Sequence, residues 1–570
     1  MKPRRLASAL VASLLVAALS SCDGSTRATA DDGTRATVVV NAEVYTLDPD
    51  RPWARAFAYD ADGKIIAVGT EPDVRAKAGS GATVIDARGN TVLPGFQDTH
   101  LHVPEAGINR DLCFMESGQT LAAYEDMAAD CAAEQPDSAW VRAAGPSIFD
   151  LLDADEAPID VLDRAIPDRP ALILDDLGHA VWTNTLGLKA AGIAPDAANP
   201  QGGIYGRDPD TGRLNGLVLE NAQQRLRNAA APDDETVYRG LLVALDELAK
   251  NGITSVSDAG GFWGQNHPAA WQRALQENEL SVRAVNSLYV YPDHPMDQQL
   301  SELKKRFSDD PDSLLRFNTA KIYVDGILDL GTAWMLKPYD KPIDPEHPSG
   351  FPYFQRDQLR SYVDELHRIG YRMEFHVIGD AATREALDAV EAIDADPGQI
   401  ADRRHRTTHT YLVHPDDIER FKELGVIADF QAGPEAIDAA YHEQLSQAIG
   451  DRAFDLIPTK KLIAAGARVS LSSDWDADPL SPFGIIERSV TRDSNAVDNV
   501  ATALRLVTLD AAYALGQDDT TGSIEIGKQA DYTVVDQNIL KIPVDRVDQT
   551  KVLVTVLAGH PTYQAESFDR

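Results

Sequence analysis

Two histidines stand one residue apart at the end of an apolar run. The stretch "TVLPGFQDTHLHV", Thr91 to Val103, passes a Pro-Gly corner and then presents His100 and His102. Alternate residues of a strand share a face, so both imidazoles point the same way if the run is a strand. Further residues capable of metal binding or proton transfer end other apolar runs. They are Lys321 in "AKIYVDG", His376 in "MEFHVIGD", His409 in "HRTTHTYLV" and Asp474 in "VSLSSDWDADP". Taken singly, a strand-end histidine is more often a hydrogen-bonded structural group, a lysine an ion-pair partner, and an aspartate in an Asp-rich loop a turn residue. An ordered set ending one strand after another is not explained that way, and it reads as a metal site. Nitrogen and oxygen donors of this kind suit zinc, with manganese, iron or cobalt as alternatives.

The elements that must position them have a clear rhythm. "YRGLLVALDELAKNG" leads to "ITSVSDAG", "DQLRSYVDELHRIG" to "YRMEFHVIGD", "PDDIERFKELG" to "VIADFQ", and "TKKLIAAG" to "ARVSLSSDWD". Helix, glycine, strand and polar loop in repetition predict an α/β fold with a parallel sheet, and over residues 93–514 a (β/α)8 TIM barrel with insertions fits best. Barrels of this kind carry their active sites at the carboxyl ends of the strands, where the candidate donors fall. Short β-branched runs broken by Asp-Gly and Arg-Gly turns fill residues 36–92, and similar runs return near the other end of the chain.

Composition narrows the partners. The chain has 570 residues, 44% of them hydrophobic, enough for a large core, and a formal charge of −36 that repels nucleic acids and anionic lipid at long range. The start, "MKPRRLASALVASLLVAALSSC", has basic residues, an apolar run too short to span a bilayer comfortably, and small residues ahead of Cys22. Leu19-Ser20-Ser21-Cys22 resembles a bacterial lipobox. Residues 1–21 are therefore read as a lipoprotein signal peptide, Cys22 as the lipidated residue and 22–35 as a tether. The protein is expected to be exported to the cell envelope or periplasm and to meet the membrane only through that anchor. An ordinary secretory signal is the simpler alternative. Cys113 and Cys131 are then in an oxidising compartment, either paired or as two buried thiols.

The order His-x-His after a Pro-Gly-Phe corner, then Lys, His, His and Asp, resembles the amidohydrolase superfamily. "PIDVLDRAIPDRPALILDDLGHAVWTNTLGLKAAGI", "GGIYGRDPDTGRLNGLVLENA", "KIYVDG", "HVIGDAA" and "GSIEIGKQADYTVVD" narrow the resemblance to the YtcJ-like group, also called amidohydrolase family 3, with its N-substituted formamide deformylase-like enzymes. It runs over about residues 36–565. The resemblance implies a TIM barrel carrying a small β-sandwich built from residues 36–92 and 515–565, with an α/β insertion at about 135–235. It also implies hydrolysis of a non-peptide C–N bond in a small amide, N-formyl compound, carbamate or cyclic amide.

In that family picture Lys321 is carboxylated on Nζ and shared by two divalent metal ions, zinc by preference. His100, His102 and Asp474 hold the more buried ion, and His376 and His409 the outer one. Asp474 also moves the proton from water to the leaving nitrogen, and His179 in "DLGHAVWTN" donates a hydrogen bond to the substrate carbonyl or is a packing histidine. Relatives are often dimers. Two departures stand out: "RTTH" where Arg-Ile-Glu-His is common, placing Thr408 at an acidic position, and "DWDADP" where Asp-Ala-Pro is common, placing Trp475 and Asp476 at the mouth. Arg406 reads as structural. Two other readings remain: a mononuclear deaminase or aminoacylase-like enzyme with an unmodified Lys321, and an envelope lipoprotein that binds a small ligand without turnover.

Overall fold

The computed structural model describes residues 35–152, 154 and 156–568. The expected signal segment, Cys22 and nearly all of the tether lie outside the described residues. Eight strands form the central sheet: β1 (Phe96–Leu101), β2 (Ile253–Gly261), β3 (Arg283–Tyr289), β4 (Leu315–Tyr323), β5 (Arg372–Val377), β6 (Arg406–His409), β7 (Ile427–Gln431) and β8 (Val469–Ser472). Each pairs in parallel with the next in chain order. The ladder stops between β8 and β1, and the barrel is nearly closed there by bonds just past the strand ends. Asp474 N donates to His100 O at 2.8 Å, and His102 N donates to Trp475 O at 2.6 Å.

These strands are buried on both faces, which is why they carry few charges and no long polar alternation. The helices outside them are amphipathic. Asp233 caps the helix Asp234–Lys250 by accepting from Thr236 N at 2.7 Å, and Val237, Leu241, Ala244, Leu245 and Leu248 recur at helical spacing on its buried side. They join the main apolar cluster with Phe96 and Val256. Truncating Leu248 there to alanine would cost about 2–5 kcal/mol. A second helix, Val103–Asn109, begins directly after His102 and packs so closely on the first that a Cβ on Gly107 would collide with the carbonyl of Gly240. That contact fixes the exit of the chain from β1, and with it the direction of His102.

Both chain ends fold together. Thr37–Val40, Ala56–Tyr59, Ile65–Gly69 and Thr83–Asp86 make a four-stranded sheet. A six-stranded sheet joins Thr91–Pro94, Glu43–Tyr45 and Trp53–Ala54 to Tyr532–Val535, Val552–Leu557 and His560–Gln564. Val39, Phe57, Val92, Tyr532 and Val534 share one buried cluster.

Between β1 and β2 a separate six-stranded mixed sheet runs from Cys113–Phe114 at one edge to Gly203–Arg207 at the other. Its first strand lies ahead of residue 135, near which the resemblance places the start of the insertion. The helix Leu121–Glu134 lies on this sheet through Tyr124, Ala128 and Cys131, and Cys113 is disulfide-bonded to Cys131 with Cα atoms 5.6 Å apart. A strand of two residues is too short to show a period in sequence. Among the described residues no helix is long and apolar enough to cross a membrane.

Candidate metal centre

The candidate donors meet at the carboxyl end of the barrel. His100 is wholly buried, and its Nε2 lies 3.1 Å from Asp474 Oδ1; His102 Nε2 lies 3.4 Å from the same oxygen. Ligands held tetrahedrally at about 2.0–2.1 Å from a zinc ion are about 3.4 Å apart, so this spacing fits an ion between them. His409 Nδ1 lies 3.7 Å from Asp474 Oδ2. His100, His409 and Asp474 each offer a donor within 4.8 Å of the others. His409 and Asp474 sit just where β6 and β8 end, with left-handed φ of 65° and 59°. That conformation costs roughly 1–2 kcal/mol in a non-glycine residue and turns the chain sharply at the mouth.

His376, on β5, stacks on Tyr323 with ring centres 4.3 Å apart and lies 4.3 Å from the ring of His409. Its Nδ1 is buried without a hydrogen-bond partner. Burial, then the neighbouring cationic groups, holds His376 well below the usual histidine range, and burial does the same to His409. Both are thus neutral imidazoles, the form that ligates. His102 differs: burial pulls it down, but the nearby carboxylates of Asp474 and Glu105 raise it to about 10. Asp474 is held well below the usual carboxylate range, its burial outweighed by His100 and His409.

Lys321 lies beneath this group on β4, fully buried, with Nζ 3.2 Å from His100 Nδ1 and 3.7 Å from Glu374 Oε1. Burial lowers its amine to about 8. Glu374, two residues before His376 and on the same face of β5, was not singled out from the sequence. Its Oε1 lies 2.6 Å from His100 Nδ1, and Oε2 accepts from Arg406 at 2.5 Å and Ser287 at 2.7 Å. A carboxylate behind a ligating imidazole fixes its tautomer and orientation. The sign of it in sequence was a lone charge in "RMEFHV". Arg406 does not reach the cavity; it donates to Glu374, to Ser257 Oγ at 2.6 Å and to Thr99 O at 3.2 Å.

The acid missing at Thr408 has a neighbour that takes its place. Asp429 on β7 accepts from Thr99 at 2.5 Å, Ser470 at 2.6 Å, Ser472 at 2.6 Å, Gln431 at 3.0 Å and Thr408 at 3.3 Å. A buried carboxylate is therefore retained, one strand over.

His179 comes from the insertion, on the turn between Ala171–Leu174 and Ala180–Thr183. Its ring centre is 5.6 Å from that of His376, and Nδ1 lies 2.7 Å from Glu220 Oε2. Burial opposes its charge, but Glu220 raises its pKa above the usual value. Glu220 ends the strand Leu214–Glu220, is 1% exposed, and also accepts from the hydroxyls of Thr332 and Tyr353. It too went unnoticed, although "GLVLENA" places a carboxylate at the end of an apolar strand.

A cavity of about 740 Å³ joins these groups; His102, His179, His376, His409 and Asp474 line its floor and side, with Tyr323 between them. Trp475 and Asp476 stand at its mouth. The arrangement can hold cations among neutral nitrogen and anionic oxygen donors, beside the His179 imidazole presented from another element.

Comparison with known proteins gives this geometry a family. Residues 83–563 match the amidohydrolase family. The chain is 27% identical to N-substituted formamide deformylase of Arthrobacter pascens, over 92% of this chain and 98% of that protein. It is 25% identical to the putative amidohydrolase YtcJ of Bacillus subtilis, over 91% and 98%. Among solved structures, an uncharacterized metal-dependent hydrolase from Pyrococcus horikoshii superposes with a TM-score of 0.71 at 21% identity, covering 90% of this chain and 99% of that one. A zinc-bound adenosine deaminase from Xanthomonas campestris shares the fold with a TM-score of 0.53 at 16% identity, over 93% of each chain. This chain belongs to the amidohydrolase family and is a metal-dependent hydrolase of carbon–nitrogen bonds.

Proposed function

We propose that His100, His102 and Asp474 hold one divalent ion, His376 and His409 a second, and that Lys321, carboxylated on Nζ, lies between them, with zinc the ion best suited to the donors. A divalent ion so held polarises a carbonyl and makes water acidic enough to yield hydroxide near pH 7. Lys321 is buried and shifted toward its neutral form, the form that adds carbon dioxide. Asp474 accepts the proton released from water and passes it to the leaving nitrogen, since an amine departs poorly unless protonated. His179, kept cationic by Glu220, donates a hydrogen bond to the carbonyl oxygen as negative charge gathers on it.

The substrate is a small molecule with an amide, N-formyl, carbamate or cyclic amide bond, and the relative that deformylates N-substituted formamides favours the N-formyl class. The end sheets are read as one β-sandwich bracing the barrel, and the leader ending at Cys22 as the route to a lipid-anchored place in the cell envelope. The convergence of His102, His376, His409 and Asp474 on one cavity, with His100 Nε2 3.1 Å from Asp474 just behind it, carries the proposal. The tighter grouping of His100, His409 and Asp474 supports a second reading with one ion and an unmodified lysine, as in deaminases. Elemental mass spectrometry on protein purified without a histidine tag or chelator separates them. About two divalent ions per chain, with formamide hydrolysis, is the expected result. About one, with ammonia release from amino-heterocycles, selects the second reading. None after reconstitution with zinc and bicarbonate overturns both.

A further inference from the structure

The insertion side of the cavity has charge and hydrogen-bonding capacity that the proposed chemistry does not use. Asp175 and Asp176 begin the turn that ends in His179, and both border the cavity. Asp175 is 6% exposed; its Oδ1 accepts from Ala180 N at 2.8 Å while Oδ2 meets no donor. On the adjoining strand Asn221 follows Glu220, is 4% exposed, and its Oδ1 also has no donor. The Asn221 amide cannot be turned round to cure this. Its Nδ2 donates to Gln201 O at 2.9 Å, and reversal would set two oxygens against each other. Gln224 adds a third buried acceptor without a partner on the same wall.

Buried acceptors in a folded protein nearly always find donors, so a row of unmatched ones along a cavity points to a ligand that supplies them. Charge agrees. The two guanidiniums of the lining are already engaged, Arg227 with Glu105 and Arg110 with Glu247 at 3.5 Å. Neither Asp175 nor Asp176 has a lysine or arginine partner among the described residues, and Asp176 instead faces Asp150 and Asp329. Phe114, Leu177 and Phe262 supply apolar surface nearby. A net charge of −36 over the chain draws cations toward such a wall.

Resting on the amidohydrolase reading of the adjacent centre, we infer that this wall is a subsite for a cationic nitrogen group. The substrate carries a protonated amine or guanidinium on the arm beyond the bond that is cleaved. Asp175, Asp176 and Asn221 set the preference for it.

The test uses the metal-loaded protein and two isosteric probes that differ in charge, butylguanidinium and butylurea, with binding followed by calorimetry. Binding of butylguanidinium at least tenfold tighter is expected, weakening as salt rises. The preference should fall at least fivefold in Asp175→Asn, which keeps the acceptor for Ala180, and in Asp176→Asn on the exposed side of the turn. Equal affinities, or a preference unmoved by both variants, would overturn the inference, the unmatched acceptors then being served by water alone. Turnover is measured in parallel on N-(6-aminohexyl)formamide and N-(6-hydroxyhexyl)formamide. Hydrolysis of both without guanidinium preference removes the subsite and leaves the hydrolase. Preference without hydrolysis of either removes the formamide reading and leaves the subsite.

Discussion

The floor of the site and its insertion wall use the same residue types, histidines and carboxylates, but in different states. On the floor the two supporting carboxylates are fully matched: Glu374 serves His100, Arg406 and Ser287 together, and Asp429 gathers four hydroxyls and an amide. On the wall, Asp175, Asn221 and Gln224 keep acceptors unmatched. A matched network locks rotamers and so can hold an ion at fixed geometry, whereas an unmatched one waits for a visitor. On the proposed reading, reaction class resides in the strand ends and His179, and choice of substrate in Asp175 and Asp176 on the turn before it.

Three sets of substitutions probe that division, beginning with the largest effect. Asp474→Asn or His376→Ala should lower kcat/KM by more than about a thousandfold, the loss of several kcal/mol of stabilisation at the reacting carbonyl. Bound metal should fall as well, with the circular dichroism spectrum retained. Full activity in either variant would place the chemistry elsewhere. His179→Ala should cost about 10²–10³ in kcat while bound metal stays constant, since its role is to meet charge that develops later. As Glu220 raises the pKa of His179, the basic limb of the wild-type kcat profile should lie above the ordinary histidine range and vanish in the variant. A drop in metal content there would join wall to floor and dissolve the distinction. The smallest change at the centre should come from Cys113→Ser with Cys131→Ser. Unfolding of the insertion should become easier by about 3 kcal/mol. Metal content should not change, and thermal denaturation read beside metal analysis checks both.

Much of the floor was legible in the sequence because it is written locally. Apolar runs, glycine punctuation and a donor at the end of several of those runs are visible in stretches of ten residues, as with His100 and His102 after Gly95, or His376 after Met373. What stayed hidden depends on groups meeting from distant strands. Glu220 finds Thr332 and Tyr353, and Asp429 finds Thr99, Ser470 and Thr408, only when the barrel closes. The meeting of Thr408 with Asp429 is invisible for the same reason, because neighbours on a sheet are not neighbours in the chain. Cys113–Phe114 is not legible as a strand because two residues have no pattern.

The gap between β8 and β1 has a consequence for assembly. The first and last strands of the barrel are bridged where Asp474 N meets His100 O, and those same two residues are the donors proposed for the centre. Nothing near residue 100 can complete the ion's shell until the strand ending at Ser472 has been made and docked. Capture of the metal therefore records that the chain has closed its ring. A chain cut short before β8, or stalled with that strand undocked, should be unable to retain its ion, which makes metal retention an indicator of complete folding as well as of catalytic competence.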